Sequence, residues 1–144
     1  MVNTWFITGI SSGLGRKRTE QLLARGDRVA GTARKLDSLD GLKSRYANQL
    51  SVAALDVTDG AAVRRVIDGA FNSMGRIDVI VNNAGYGLFG AAEELNDEQM
   101  RQQIDTNLVG SIQVIRAEGL LLGPEQREKS MHSALQAAGA LHTA

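Results

Sequence analysis

Seven residues constrain this chain more than any others: Gly9-Ile10-Ser11-Ser12-Gly13-Leu14-Gly15. A short, β-rich apolar run, Trp5-Phe6-Ile7-Thr8, leads into them. A stretch with helical spacing leads out, placing Leu14, Arg18 and Leu22 near one face and closing around Gly26. Glycine permits positive φ and lets backbone come close to a ligand. The start of a helix carries unpaired N–H groups and a partial positive charge, which suits a pyrophosphate. Ser11 and Ser12 add hydroxyl donors. A strand-to-helix turn that binds nothing is the alternative. A Walker A loop does not fit: counted from Gly9, its second glycine would fall at Leu14, and no Gly-Lys-Ser/Thr follows.

Downstream, strand and helix patterns keep alternating. Residues 28–32 read as a second strand, and residues 35–46 as a short helix with Leu36, Leu39 and Leu42 on its apolar side. Residues 50–57 read as a third strand. Thr58 or Asp59 caps a helix running to about Met74, with Val63, Val66, Ile67 and Ala70 as its buried stripe. Residues 78–81 form a fourth strand that ends in Asn82-Asn83-Ala84-Gly85. Asn96 or Asp97 then starts a long helix through Ile104, Leu108, Ile112 and Ile115. Four such alternations predict an α/β fold: a doubly wound parallel sheet of Rossmann type with right-handed crossovers, truncated after the fourth strand and the long helix. The strands are near-continuous apolar runs, as sheets covered on both faces require.

The pattern changes after Ala117. Residues 118–144 contain no Val, Ile, Phe, Tyr or Trp, and Gly123-Pro124 should end the long helix. The division expected is a dinucleotide-binding portion, residues 1–117, and an atypical helical tail, residues 118–144. An abrupt break of this kind would follow from a frame shift, a premature stop or a fused tail. The fourth strand would then be a sheet edge, and self-association is expected to cover it if the tail does not.

Composition narrows the function classes. The formal net charge is zero, so neither nucleic acid nor a membrane surface is an expected partner. There is no cysteine, which excludes disulfides, thiolate catalysis and cysteine-ligated metal. His132 and His142 lack metal-ligand spacing, and no metal is expected. No secretory segment or membrane span is read, so a cytoplasmic location is expected.

Residues 8–15 have the form Thr-Gly-x-x-x-Gly-x-Gly. That spacing, between a strand and a helix, resembles the short-chain dehydrogenase/reductase family. Three more segments carry the resemblance, which covers about residues 3–117. Asp56-Val57 ends the third strand, where the family contacts adenine. Asn82-Asn83-Ala84-Gly85 matches the family's Asn-Asn-Ala-Gly. Asn107, in Asp105-Thr106-Asn107-Leu108-Val109-Gly110, matches its mid-helix active-site asparagine. The resemblance implies hydride transfer between a nicotinamide dinucleotide and a small carbonyl or alcohol. It implies cofactor contacts at Gly9, Ser11, Ser12, Gly13, Leu14, Gly15, Asp56, Val57, Asn83, Ala84 and Gly85, and a catalytic role for Asn107. Asp56 could instead fix a turn, Asn82 and Asn83 could lock backbone, and Asn107 could be a polar residue facing a cavity.

An NAD site usually places an acid about 20 residues past the glycine turn to bind the ribose 2′-OH. Here the second strand ends Gly31-Thr32-Ala33-Arg34-Lys35. Arg34 can take a 2′-phosphate, so NADP is expected over NAD. Asp37 lies close by and keeps NAD open, and Arg34 and Lys35 could be solvated loop charges. The family's acid–base pair, Tyr-x-x-x-Lys, does not occur in these 144 residues. Tyrosine stands only at Tyr46 and Tyr86, and Leu50 and Gly90 lie four residues on. A binding fragment without turnover, or a module whose association responds to nucleotide, is therefore the alternative to an active oxidoreductase.

Overall fold

The computed structural model describes residues 1–88, 90–119 and 121. Four parallel strands form one sheet in the order β3-β2-β1-β4. They are β1 Thr4–Thr8, β2 Arg28–Ala33, β3 Leu50–Ala54 and β4 Val79–Val81. Phe6 of β1 lies between Ala30 of β2 and Ile80 of β4, which fixes the register at the sheet centre. Around the sheet run α1 Gly13–Ala24, α2 Asp40–Arg45, α3 Gly60–Met74, α4 Asp97–Ile104 and α5 Gly110–Gly119. One 3-10 turn, Asp37–Leu39, precedes α2, another, Ala92–Glu94, precedes α4, and a π-helical turn, Asp105–Val109, joins α4 to α5. No helix among the described residues is long and apolar enough to cross a membrane.

Alternation along β1 divides the core, because successive strand side chains point to opposite faces. Phe6 packs with Val63, Ile67, Ile80 and Val114 on the face covered by α3 and α5. Trp5 and Ile7 pack with Ile10, Leu22, Leu23, Val29 and Leu39 on the face covered by α1 and α2. All five β1 residues are buried, as the continuous apolar run requires.

Several boundaries settle what the sequence left open. Asp59, not Thr58, caps α3: its carboxylate accepts the N–H groups of Ala61 and Ala62, both at 3.0 Å. Asn96, not Asp97, caps α4 in a reciprocal box with Gln99, at 2.9 and 3.0 Å. Along α3, Val63 and Ile67 are buried, with Val66 and Ala70 partly so.

Three expectations need correction. The third strand stops at Ala54, so Asp56 and Val57 lie in the turn beyond it. Leu14 does not join the buried face of α1. It is 84% exposed, and Gly15, Thr19, Leu22 and Leu23 form the face instead. The long helix is interrupted by its π turn, which inserts a residue and rotates the face beyond it. Ile104, Leu108 and Ile112 are exposed, and Gly110, Val114 and Ala117 turn inward. β4 pairs only with β1 among the described residues. Helix α5 continues two residues past Ala117, and residues 122–144, with the expected tail helix, His132 and His142, lie outside the described residues.

Candidate functional site

The C-terminal ends of all four strands open onto one cleft of about 900 Å³. In open α/β sheets this is where ligands bind. The turn after β1 supplies its floor. Gly9 has φ of +75°, and a Cβ there would lie 2.9 Å from the Cα of Ala84. A Cβ at Gly15 would overlap the Gly9 carbonyl oxygen and Asn83 Nδ2. The two glycines let the turn, α1 and the end of β4 meet backbone to backbone. Gly13, with φ of +57°, faces open space, with no other atom within 4 Å of where a Cβ would stand.

Helix α1 starts without a side-chain cap from Ser12. No hydrogen bond among the described residues takes up the N–H groups of Ser11, Ser12, Gly13, Leu14 or Gly15. Five amide donors without an acceptor, at the positive end of a helix dipole, make a strong anion cradle.

Behind this surface Thr8 and Asn83 tie the turn to β4. Thr8 is buried, and its Oγ1 accepts the N–H groups of both Asn83 and Ala84 at 3.0 Å. Asn83 Nδ2 donates back to the carbonyls of Thr8 (3.2 Å) and Gly9 (3.0 Å). The Asn83 side chain is thus a lock between β1 and β4. Asn82 Nδ2 donates to the Ser111 carbonyl at 2.9 Å, tying β4 to α5.

Arg34 stands exposed at the end of β2 with no carboxylate in ion-pair range among the described residues. After the neighbouring strand β3, Asp56 Oδ1 accepts the Thr58 N–H (3.0 Å) and hydroxyl (2.7 Å). These two bonds, the backbone one first, hold the Asp56 carboxyl below its usual range. The Arg34 charge adds to the effect.

Every residue expected to contact the coenzyme or to act in catalysis lines the cleft except Gly15 and Asn107, while Asn82, Lys35 and Asp37 stand outside it. Gly15 is buried against the turn. Asn107 sits in the π turn and clasps the Tyr86 backbone: its Oδ1 accepts the Tyr86 N–H (3.0 Å), and its Nδ2 donates to the Tyr86 carbonyl (2.6 Å). It shapes the segment after β4 rather than facing the cleft. The sequence reading missed Tyr86, Thr58 and a polar wall from α4, formed by Glu98, Arg101 and Gln102, with Asp105 and Thr106 from the π turn. Their spacing is helical, but a polar helical face reads as solvent-exposed when hydropathy is the guide.

Comparison with known proteins bears on this architecture. The family model for short chain dehydrogenase matches residues 3–122. Oxidoreductase BOA17 of Botryotinia fuckeliana is 38% identical over 133 residues, covering 92% of this chain and 47% of that protein. An NADPH-dependent 3-dehydrocapnine reductase of Ornithobacterium rhinotracheale is 30% identical over 132 residues, 90% of this chain and 47% of that protein. Among solved structures, a short-chain dehydrogenase from Streptomyces avermitilis superposes with a TM-score of 0.80 at 39% identity, over 90% of this chain and 46% of that one. The structure of ElxO with NADP bound gives 0.74 at 30% identity, over 82% and 49%. The chain thus spans about half the length of the relatives it matches. With the family model covering most of its residues, the chain belongs to the short chain dehydrogenase family.

Proposed function

We propose that the cleft holds a nicotinamide adenine dinucleotide, NADP in preference to NAD, as the coenzyme-binding part of an oxidoreductase acting on a small carbonyl or alcohol. The observation that carries this reading is the pairing of two features on one rim. Among the described residues, five amides at the start of α1 have no acceptor, and the Arg34 guanidinium at the end of β2 has no ion-pair partner. The residues fit such a group: Gly13 leaves room above the helix start, and Gly9 brings the turn close to β4. Family membership supports the reading, as do the NADP in the ElxO structure and the NADPH dependence of the Ornithobacterium enzyme.

In this reading the amides of residues 11–14 bind the diphosphate and Arg34 binds the 2′-phosphate. Asp56, kept ionised by Thr58, accepts from the adenine side. Thr8 and Asn83 hold the floor in shape, and Asn107 holds the segment carrying Tyr86. When bound, the nicotinamide ring would exchange hydride with a carbonyl or alcohol carbon. The accompanying proton needs an acid–base group at the substrate oxygen. Tyr86 lines the cleft without a lysine four residues on, so the part assigned to this chain is to bind and orient the coenzyme.

Calorimetric titration with NADPH and NADH tests the reading. NADPH is expected to bind more tightly, and Arg34→Ala to weaken NADPH by about thirtyfold while leaving NADH unchanged, since a charge-assisted phosphate contact is worth about 2 kcal/mol. Equal affinity for both, untouched by that substitution, would contradict it. Self-association along β4 belongs to the same reading, and a strictly monomeric chain in light scattering at high concentration would remove that part.

A further inference from the structure

The guanidinium of Arg16, the fourth residue of α1, is turned toward the segment that follows β2. Its Nη1 donates to the Ser38 carbonyl at 2.8 Å, and its Nε donates to Glu20 Oε1 at 2.6 Å. The side chain is only 28% exposed, and Glu20, one helical turn on, fixes its direction. Ser38 lies in the 3-10 turn Asp37–Leu39, and just three residues, 34–36, separate that turn from the end of β2. From the other side, Leu39 anchors the turn with a fully buried side chain, and its N–H donates to the Leu36 carbonyl at 2.8 Å. The short segment that begins with Arg34 is therefore pinned at its far end from the core and from α1.

We infer that Arg16 is a positioning residue that sets coenzyme choice. It straps the segment carrying Arg34 to the helix whose start faces the cleft, and so fixes the span between the two phosphate subsites. The inference rests on the coenzyme reading above and adds a residue that does not line the cleft. A diphosphate on the amides of α1 and a 2′-phosphate on Arg34 are carried by the same adenosine ribose, which bounds the distance between them. The two subsites reinforce each other only at a set spacing. Without the strap, Arg34 must be ordered at the moment of binding, at a cost in conformational entropy. NADH lacks the 2′-phosphate and does not need that ordering.

The test is a set of dissociation constants for NADPH and NADH. Arg16→Ala is expected to weaken NADPH about five- to tenfold and to move NADH by less than about twofold. Arg16→Lys should recover most of the loss, because lysine can still donate to the Ser38 carbonyl. In an Arg34→Ala background, Arg16→Ala should cost nothing further, since it acts through Arg34. Equal loss for both coenzymes would mean a merely structural role. No loss, or a loss that persists in the Arg34→Ala background, would likewise overturn the strap. If the parent chain binds neither coenzyme, the coenzyme reading falls and the strap with it. If the parent prefers NADPH through Arg34 but ignores Arg16, only the strap falls.

Discussion

The two ends of the sheet use their polar groups in opposite ways. At the N-terminal ends of the strands, nearly every donor and acceptor is closed on the protein itself. Asp27 is buried and accepts the Asn3 N–H (3.0 Å), the Trp5 indole N–H (3.1 Å) and the Arg25 guanidinium. Gln49 Nε2 bridges the carbonyls of Leu23 and Asp27 at 3.2 and 3.1 Å. Asp78 accepts the Thr4 N–H at 2.9 Å and pairs with Arg76. At the C-terminal ends, five amides have no acceptor and Arg34 has no ion-pair partner among the described residues. The layer beneath, Thr8 with Asn83, is closed. The concentration of such unmatched donors at one rim supports the coenzyme reading proposed above, while the hydrogen bonds of the other rim hold the fold.

That contrast predicts which measurement each substitution moves. Gly15→Ala has the largest expected effect, because its Cβ would collide with the Gly9 backbone and with Asn83. A loss of about 3 kcal/mol in denaturant unfolding, together with loss of detectable coenzyme binding, is expected. Wild-type values for both would break the account of the turn. Next comes the thirtyfold NADPH loss of Arg34→Ala, with thermal stability unchanged.

At the opposite rim, Asp27→Asn should cost about 1.5 kcal/mol in stability and leave both coenzyme affinities alone. Burial pushes the Asp27 carboxyl up, but the Asn3, Arg25 and Trp5 hydrogen bonds and the Arg25 charge together hold it below its usual value. A carboxyl lowered in the folded state adds stability above its unfolded value, near 3.9, and loses it as pH falls through the folded one. Wild-type stability should therefore drop steeply below about pH 4, and the variant should show a shallower acid limb. Identical acid limbs would remove Asp27 from the account. The smallest effect belongs to Asp59→Ala, about 1 kcal/mol from a lost helix cap, again with no change in affinity. A shift in coenzyme affinity would show that α3 is coupled to the cleft.

The sequence carried the four strands, the glycine turn and the segments after each strand, because these depend on local pattern and on residues that only one backbone geometry accepts. It did not carry the inward face of α1. Leu14, Arg18 and Leu22 satisfy helical spacing, but close approach to the sheet selects Gly15 and Thr19, which hydropathy does not mark as core. Nor did it show the π turn, a one-residue insertion invisible to a period of 3.6. Ile104, Leu108 and Ile112 kept their spacing while the buried face moved to Gly110, Val114 and Ala117. The cleft wall from α4 escaped for a related reason. Glu98, Arg101 and Gln102 read as a solvated face until the third dimension sets them around one cleft with Arg34 and Asp56.

The division of labour between the two rims can be read amide by amide in a nitrogen–proton correlation spectrum of the chain titrated with NADPH. Saturable shifts at residues 11–15 and at Arg34, with Asn3, Asp27 and Asp78 unmoved, are the predicted result. Shifts centred on the Asp27 rim, or none anywhere at millimolar coenzyme, would contradict it.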